Sequence, residues 1–313
     1  MSLNESVKTF STLEGQMVSV ERIKQYCSLP SEAPFTEPID STLSDWPSTG
    51  EITFSSVKLR YRPNLPLVLK GLDFKIPSMS KVGVVGRTGA GKSTLMVSLL
   101  RLVEISDGSI EIDGVDISQV GLQLLRSKIT VIPQDPVLFS GTIRANLDPF
   151  DERQDDELVE ALRRVGLKDS TDGVSAEGQS AAIESLTDEV SEGGSNFSVG
   201  QRQLIVIARA LLRESKIVIM DEATASVDAE TDAKIQKVMR SEFQKSTCIT
   251  VAHRINTILD SDYILVMDDG QAEEFGKPDN LLREGGLFKD LVDAWESEHE
   301  SNKESNDLVE ASE

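Results

Sequence analysis

The chain has 313 residues, of which 39% are hydrophobic and 27% charged, with a formal net charge of -21. This is enough apolar material for one large core or two small ones, which excludes a disordered chain. The acidic excess excludes a nucleic-acid surface, because neutralising phosphates needs clustered Lys and Arg, so any anion must be held by a local device and no nucleic-acid partner is expected.

The first predicted element is a helix from Leu3 to Cys27. Leu3, Val7, Phe10, Leu13, Met17, Val20 and Cys27 recur at mostly three- and four-residue steps, an amphipathic pattern whose apolar stripe wants a partner. The Pro- and Ser-rich stretch "SLPSEAPFTEPIDSTLSDWPSTG" then reads as a linker. Short β-rich runs alternate with helical ones as far as Trp295. The expected division is therefore helix and linker over 1–47, a globular domain over 48–295, and an acidic, disordered tail over 296–313. No apolar run reaches the roughly 18–20 residues that cross a bilayer, so the chain is expected not to span a membrane. Cys27 and Cys248 lack partners at metal-ligand spacing and follow no secretory signal, which fits a reducing, cytosolic compartment.

The strongest local pattern is "KVGVVGRTGAGKSTLMVSLL". A buried strand, Lys81 to Val85, runs into Gly86-x4-Gly91-Lys92-Ser93 and a helix from Ser93 to Leu102, the strand, loop and helix context of a phosphate loop. Gly86, Gly89 and Gly91 let the backbone curl so that N–H groups face phosphate oxygens, and the helix adds the positive end of its dipole. Lys92 is expected to reach the β- and γ-phosphates and Ser93 to place its hydroxyl on Mg²⁺. The competing reading is a glycine-rich turn between core elements that matches by chance.

Further along, "VIPQDPVLFSGTIRANLDPF" follows a strand over Ile129 to Ile132, and Gln134 offers an amide oxygen to a metal; without the other motifs it would be a plain loop glutamine. The stretch from Lys168 to Gly194 is acidic and rich in small residues, so a solvated surface loop with at most a short helix is expected. In "SKIVIMDEATASVD" the apolar strand Ile217 to Met220 delivers Asp221 and Glu222 to the edge where an open parallel sheet keeps its phosphate loop. Asp221 is the expected holder of Mg²⁺ and Glu222 the general base for water. Acids also end strands as solubilising caps. In "CITVAHRI" a β-branched strand ends at His253, placed to bond a γ-phosphate and steer water; a lone His is more often structural.

Taken in order, Tyr61, "GRTGAGKS", Gln134, "FSVGQ", "IVIMDE", "SVD" and His253 resemble the nucleotide-binding domain of an ATP-binding cassette (ABC) transporter, over nearly all of Glu51 to Trp295. The wording of "IPQDPVLFSGTIRANLDPF", "SVGQRQL" and "LEGQMVSVERIKQY" is similar to the second such domain of C-subfamily, multidrug-resistance-associated-type exporters. This resemblance implies an α/β fold, a P-loop NTPase core with an antiparallel β subdomain and a helical signature subdomain. It implies ATP and Mg²⁺ as ligands, with Tyr61, Gly86, Arg87, Thr88, Gly89, Ala90, Gly91, Lys92, Ser93, Thr94 and Asp221 at the nucleotide, Ser93, Gln134 and Asp221 at the metal, and Glu222, His253 and Gln134 in catalysis. Tyr61 would stack on adenine, though a strand aromatic in a core reads the same.

The resemblance also gives "FSVGQ" a purpose. In the family this signature sits at a helix N-terminus and binds the γ-phosphate held by the opposite cassette of a head-to-tail pair. Ser198, Gly200 and Gln201 would then serve a neighbour's ATP, and the helix Val199 to Leu212 would aim its positive end the same way. The departures are Phe197 where the common motif has Leu and Val199 where it has Gly. By resemblance the second is usual where the completed site hydrolyses weakly, whereas this chain's own loop, with Glu222, resembles the competent half. The implied function is the ATPase of an exporter, partnered by a second cassette and by transmembrane domains at the cytoplasmic face of a membrane; the N-terminal helix would follow the last transmembrane span. The alternatives are a non-transport ABC ATPase, which expects a second cassette or a coiled-coil insert and basic surface, and a regulatory cassette that binds ATP without hydrolysing it.

Overall fold

A computed structural model describes residues 2–29, 31–168, 183–221, 229–252 and 258–297. It divides into two compact units, Met1–Phe35 and Thr36–Glu313. The first unit is the helix α1, Leu3–Cys27, which buries none of its residues, so its apolar positions, Phe10, Leu13 and Met17 among them, are exposed. Its ends match those read from the sequence.

The second unit runs, in chain order, through β1 (Ile52–Leu59), β2 (Leu69–Ile76), β3 (Lys81–Gly86), α2 (Lys92–Leu99), β4 (Asp107–Ile112), β5 (Val115–Asp116), α3 (Leu122–Lys128) and β6 (Ile129–Ile132). It continues through β7 (Gly141–Thr142), α4 (Ile143–Leu147), α5 (Asp155–Arg164), β8 (Glu189–Val190), α6 (Val199–Leu212) and β9 (Ile217–Asp221). The last elements are α7 (Ala229–Glu242), β10 (Thr247–Val251), β11 (Tyr263–Asp268), β12 (Gln271–Gly276), α8 (Pro278–Glu284) and a helix over 287–297.

Two sheets organise these elements. The larger has the order β12-β11-β3-β10-β9-β6; every pair is parallel except β11–β12. Its central strands read as continuous apolar runs because both faces are covered, as in "VGVV" and "IVIM". The smaller sheet, β2-β1-β4-β5, is antiparallel. Phe54 on β1 stacks on Phe74 on β2, with ring centroids 4.6 Å apart. A third, two-stranded sheet pairs β7 with β8 and belongs with α4, α5 and α6 to a separate apolar cluster.

Part of the segment read as linker packs on the domain. Trp46 is 7% exposed and donates its indole N–H to the carbonyl of Ile112, 2.8 Å away, while Asp40 accepts from the amide of Gly121. Asp113, in the β4–β5 turn, accepts from the amides of Thr49, Gly50 and Glu51 and from the Thr49 hydroxyl, which fixes the chain just before β1. Burial is the largest influence on Asp113 and would raise its pKa; these donors together outweigh it and hold the value at about 2.

Two boundaries differ from the sequence reading. The helix after the phosphate loop stops at Leu99, because Arg101 has left-handed backbone (φ 48°) and turns its guanidinium onto the carbonyls of Ile117 and Val120. The acidic stretch before the signature is not wholly solvated: Ile183 and Val190 are buried in the helical cluster, and Glu189–Val190 forms β8. Residues 169–182 of that stretch and 298–313 of the tail lie outside the described residues; Glu296 and Ser297 continue the preceding helix.

Candidate nucleotide site

The loop Gly86–Gly91 leaves β3 at the carboxyl end of the parallel sheet and enters α2 through Gly91, whose backbone is left-handed (φ 98°). A tight approach imposes glycine at its start: a Cβ on Gly86 would lie 2.0 Å from the carbonyl oxygen of Met267. At Gly89 (φ 87°) the demand is conformational alone, since nothing lies within 4 Å of a Cβ there. Arg87, Thr88 and Gly89 are exposed at the tip, and Ala90 is buried beneath it.

Lys92 is only 6% exposed, and its ammonium donates to the carbonyls of Gly86, at 2.7 Å, and Arg87, at 3.1 Å. The side chain is thus folded back over its own loop, with its charge among the curled amides. Ser93 beside it is exposed in the first turn of α2. The Tyr61 hydroxyl lies 3.1 Å from Thr94 Oγ1, so Tyr61, 46% exposed, stands beside the phosphate loop rather than inside a core.

Adjacent strands bring the remaining candidates to the same sheet edge. Asp221 ends β9 in register with Val251 of β10, which on its other side pairs with Val84 of β3, two residues before Gly86. Gln134 is exposed two residues beyond β6. Glu222 and His253 lie outside the described residues, each next to or just beyond a described strand end at this edge, Asp221 and Ala252 respectively.

A hydroxyl, an amide oxygen and a carboxylate are all hard oxygen donors, which suits Mg²⁺ completed by phosphate oxygens and water. Among the described residues no three His, Cys, Asp or Glu side chains cluster as a metal cage, so a cation here would depend on the nucleotide for the rest of its shell. In a chain of net charge -21 the loop amides, Lys92 and the α2 terminus concentrate positive potential locally.

The signature segment is built differently. Ser198 is the N-cap of α6: its Oγ accepts from the Gln201 amide at 3.2 Å, and Gln201 Oε1 accepts from the Ser198 amide at 2.9 Å. This reciprocal box fixes both side chains. Ser198 keeps its hydroxyl proton and Gln201 its NH₂ for an outside acceptor. Ser198 is exposed, Val199 half-buried and Gly200 buried, while Phe197 packs on the helical cluster. Ala90 of the phosphate loop belongs to another cluster, the one shared by both sheets.

Several supports had no sequence signal of their own. Gly270, in the β11–β12 turn, donates to the carbonyl of Ala90 and accepts from the amide of Lys70, tying the phosphate loop to β2. Asn146, 2% exposed, brackets Phe139 by accepting from its amide and donating to its carbonyl. An "NG" or "DG" pair flags such a turn in general, and "DDG" at Asp268–Gly270 was the available hint.

The family model described as "ABC transporter" matches residues 69–225, which carry the phosphate loop, Gln134, the signature and Asp221. The chain belongs to the ABC transporter family. ATP-binding cassette sub-family C member 2 of Mus musculus is 49% identical over 287 residues, 92% of this chain but 18% of that protein. The ATP-dependent bile acid permease of Saccharomyces cerevisiae is 49% identical over 289 residues, 88% of this chain and 17% of the permease. Among solved structures, one described as a bacterial Atm1-family ABC exporter with ATP bound aligns with a TM-score of 0.73 at 31% identity, over 90% of this chain and 47% of that one. The chain therefore spans less than a fifth of either of these two curated relatives. Among the described residues no helix is long and apolar enough to cross a membrane.

Proposed function

We propose that the cassette, residues 48–295, binds ATP with Mg²⁺ and hydrolyses it in a head-to-tail pair with a second cassette, powering export through transmembrane domains from the cytoplasmic face of a membrane. The observation that carries this reading is the convergence at one sheet edge of the Gly86–Gly91 loop, the buried Lys92 ammonium and Asp221. Tyr61 stacks on the adenine, with Thr94 holding its hydroxyl. The amides of Gly86 to Thr94 and the Lys92 ammonium grip the phosphates. Ser93, Gln134 and Asp221 hold the cation, which when bound spreads the negative charge building on the γ-phosphate and leaving group. Glu222 takes the proton of the attacking water as its oxygen bonds to γ-phosphorus and the bond to the β–γ bridging oxygen breaks; His253 steers that water. Ser198, Gly200 and Gln201 serve the neighbour's γ-phosphate, and α1 joins the cassette to the membrane-embedded part.

The test separates the two halves of the proposal. Ser198→Arg places a bulky cation on an exposed helix tip without touching the Gly86–Gly91 loop. Alone, the variant should bind a fluorescent ATP analogue as the parent does; mixed with its partner cassette, in a Glu222→Gln background that slows hydrolysis, it should fail to form the ATP-dependent pair on gel filtration. Loss of ATP binding by the isolated, folded variant would place "FSVGQ" in this chain's own pocket and end the pair mechanism.

A further inference from the structure

Gln203 lies on α6, two residues beyond Gln201 of the signature box. It is 0% exposed, its Nε2 donates to the carbonyl of Pro133 at 3.3 Å, and its Oε1 has no hydrogen-bond partner. A buried amide with an unsatisfied oxygen is unfavourable, and an apolar side chain of the same length would fill the space without it. Packing therefore does not account for glutamine here; the bond to Pro133 does.

Pro133 immediately precedes Gln134, and the loop that begins there is fastened to the signature element twice more. Leu138, 2% exposed, presses on Gly194: a Cβ on Gly194 would come within 2.8 Å of Leu138 Cδ1. At the loop's far end Asn146 clasps Phe139 by amide and carbonyl, and Arg209 of α6 donates to the Asn146 carbonyl at 2.7 Å. Loop 133–139 is thus held by Gln203 at its start, touches Gly194 through Leu138 near its end, and is tied to Arg209 only through Asn146 of α4, while Gln134 itself is exposed.

We propose that Gln203 is a positioning residue for Gln134: by holding the Pro133 carbonyl it sets where the Gln134 amide oxygen meets the metal of the nucleotide. This rests on the reading that Gln134 serves Mg²⁺. The residue contacts neither nucleotide nor metal, and its effect is confined to metal-dependent binding.

The test is a Mg²⁺ titration of the binding of a fluorescent ATP analogue to the 1–313 chain, repeated in EDTA, with a melting curve for each variant. Gln203→Met keeps length and removes both polar atoms; Gln203→Asn keeps the amide but falls short of Pro133. Both should raise the half-saturating Mg²⁺ concentration about two- to tenfold, the worth of one hydrogen bond, and leave binding in EDTA at parent values; Gln203→Met should also keep the parent melting temperature, whereas Gln203→Asn, which buries an unpaired amide, should melt lower. Adding either to Gln134→Ala should cause no further shift. An unchanged Mg²⁺ requirement in the Gln203 variants, when Gln134→Ala raises it, overturns the inference alone. Equal weakening with and without Mg²⁺ overturns it too, because that marks a merely structural role. If Gln134→Ala itself leaves the Mg²⁺ requirement unchanged, the reading of Gln134 falls and this inference with it.

Discussion

The Lys92 ammonium lies 2.7 Å from the carbonyl oxygen of Gly86, six residues back along the chain. To grip a phosphate it must exchange this carbonyl, and that of Arg87, for phosphate oxygens. Charge-assisted bonds contribute roughly 1.5–3 kcal/mol, and surrendering two existing bonds moves the net gain to the lower end of that range. Lys92→Ala should therefore weaken ATP binding about tenfold rather than abolish it, as read by titration with a fluorescent analogue.

Gly86 is constrained by its neighbour on β11. With a Cβ only 2.0 Å from the Met267 carbonyl and a backbone φ of 149°, Gly86→Ala requires the phosphate loop or β11 to shift. Strain of this kind costs on the order of 1–3 kcal/mol, so urea unfolding should show a lower midpoint with an unchanged slope. ATP affinity should fall as well, because the displaced residue opens the loop.

Acid should release the entry to β1. The folded-state pKa of Asp113, about 2, lies below the ordinary 3.8, so the carboxylate stabilises the fold in full above pH 4. That contribution fades as pH falls from 4 towards 2. Asp113→Asn should lower stability at pH 7 and flatten its decline between pH 4 and 2, measured by urea denaturation at a series of pH values.

Much of this architecture is legible in the sequence, and the pattern of what is not has a physical reason. The bounds of α1 follow from local apolar periodicity, those of β6 from its short apolar run, those of α6 came with the family resemblance, and the phosphate loop from glycine spacing between a strand and a helix. The seven motifs in order led to the family. What stayed hidden depends on contacts between residues far apart in the chain: Trp46 on Ile112, Gly270 on Ala90, and Gln203 on Pro133. A tryptophan in a Pro- and Ser-rich run reads as a linker until a sheet is there to cover it. Gln203 carries no role in the sequence, because an amide on a helix says nothing about which carbonyl it faces. The early end of α2 was missed because an arginine can adopt left-handed backbone when its guanidinium finds carbonyls to bond.

The sheet order also acts as a gauge. One whole strand, β10, separates the strand that carries the phosphate loop from the strand that ends in Asp221. With neighbours spaced about 4.8 Å apart, the β9 backbone runs roughly 10 Å from that of β3, so the groups that these two strands bring to the sheet edge stand on either side of the end of β10. The width of a single strand thus sets the gap that a nucleotide would span in touching both Asp221 and the phosphate loop.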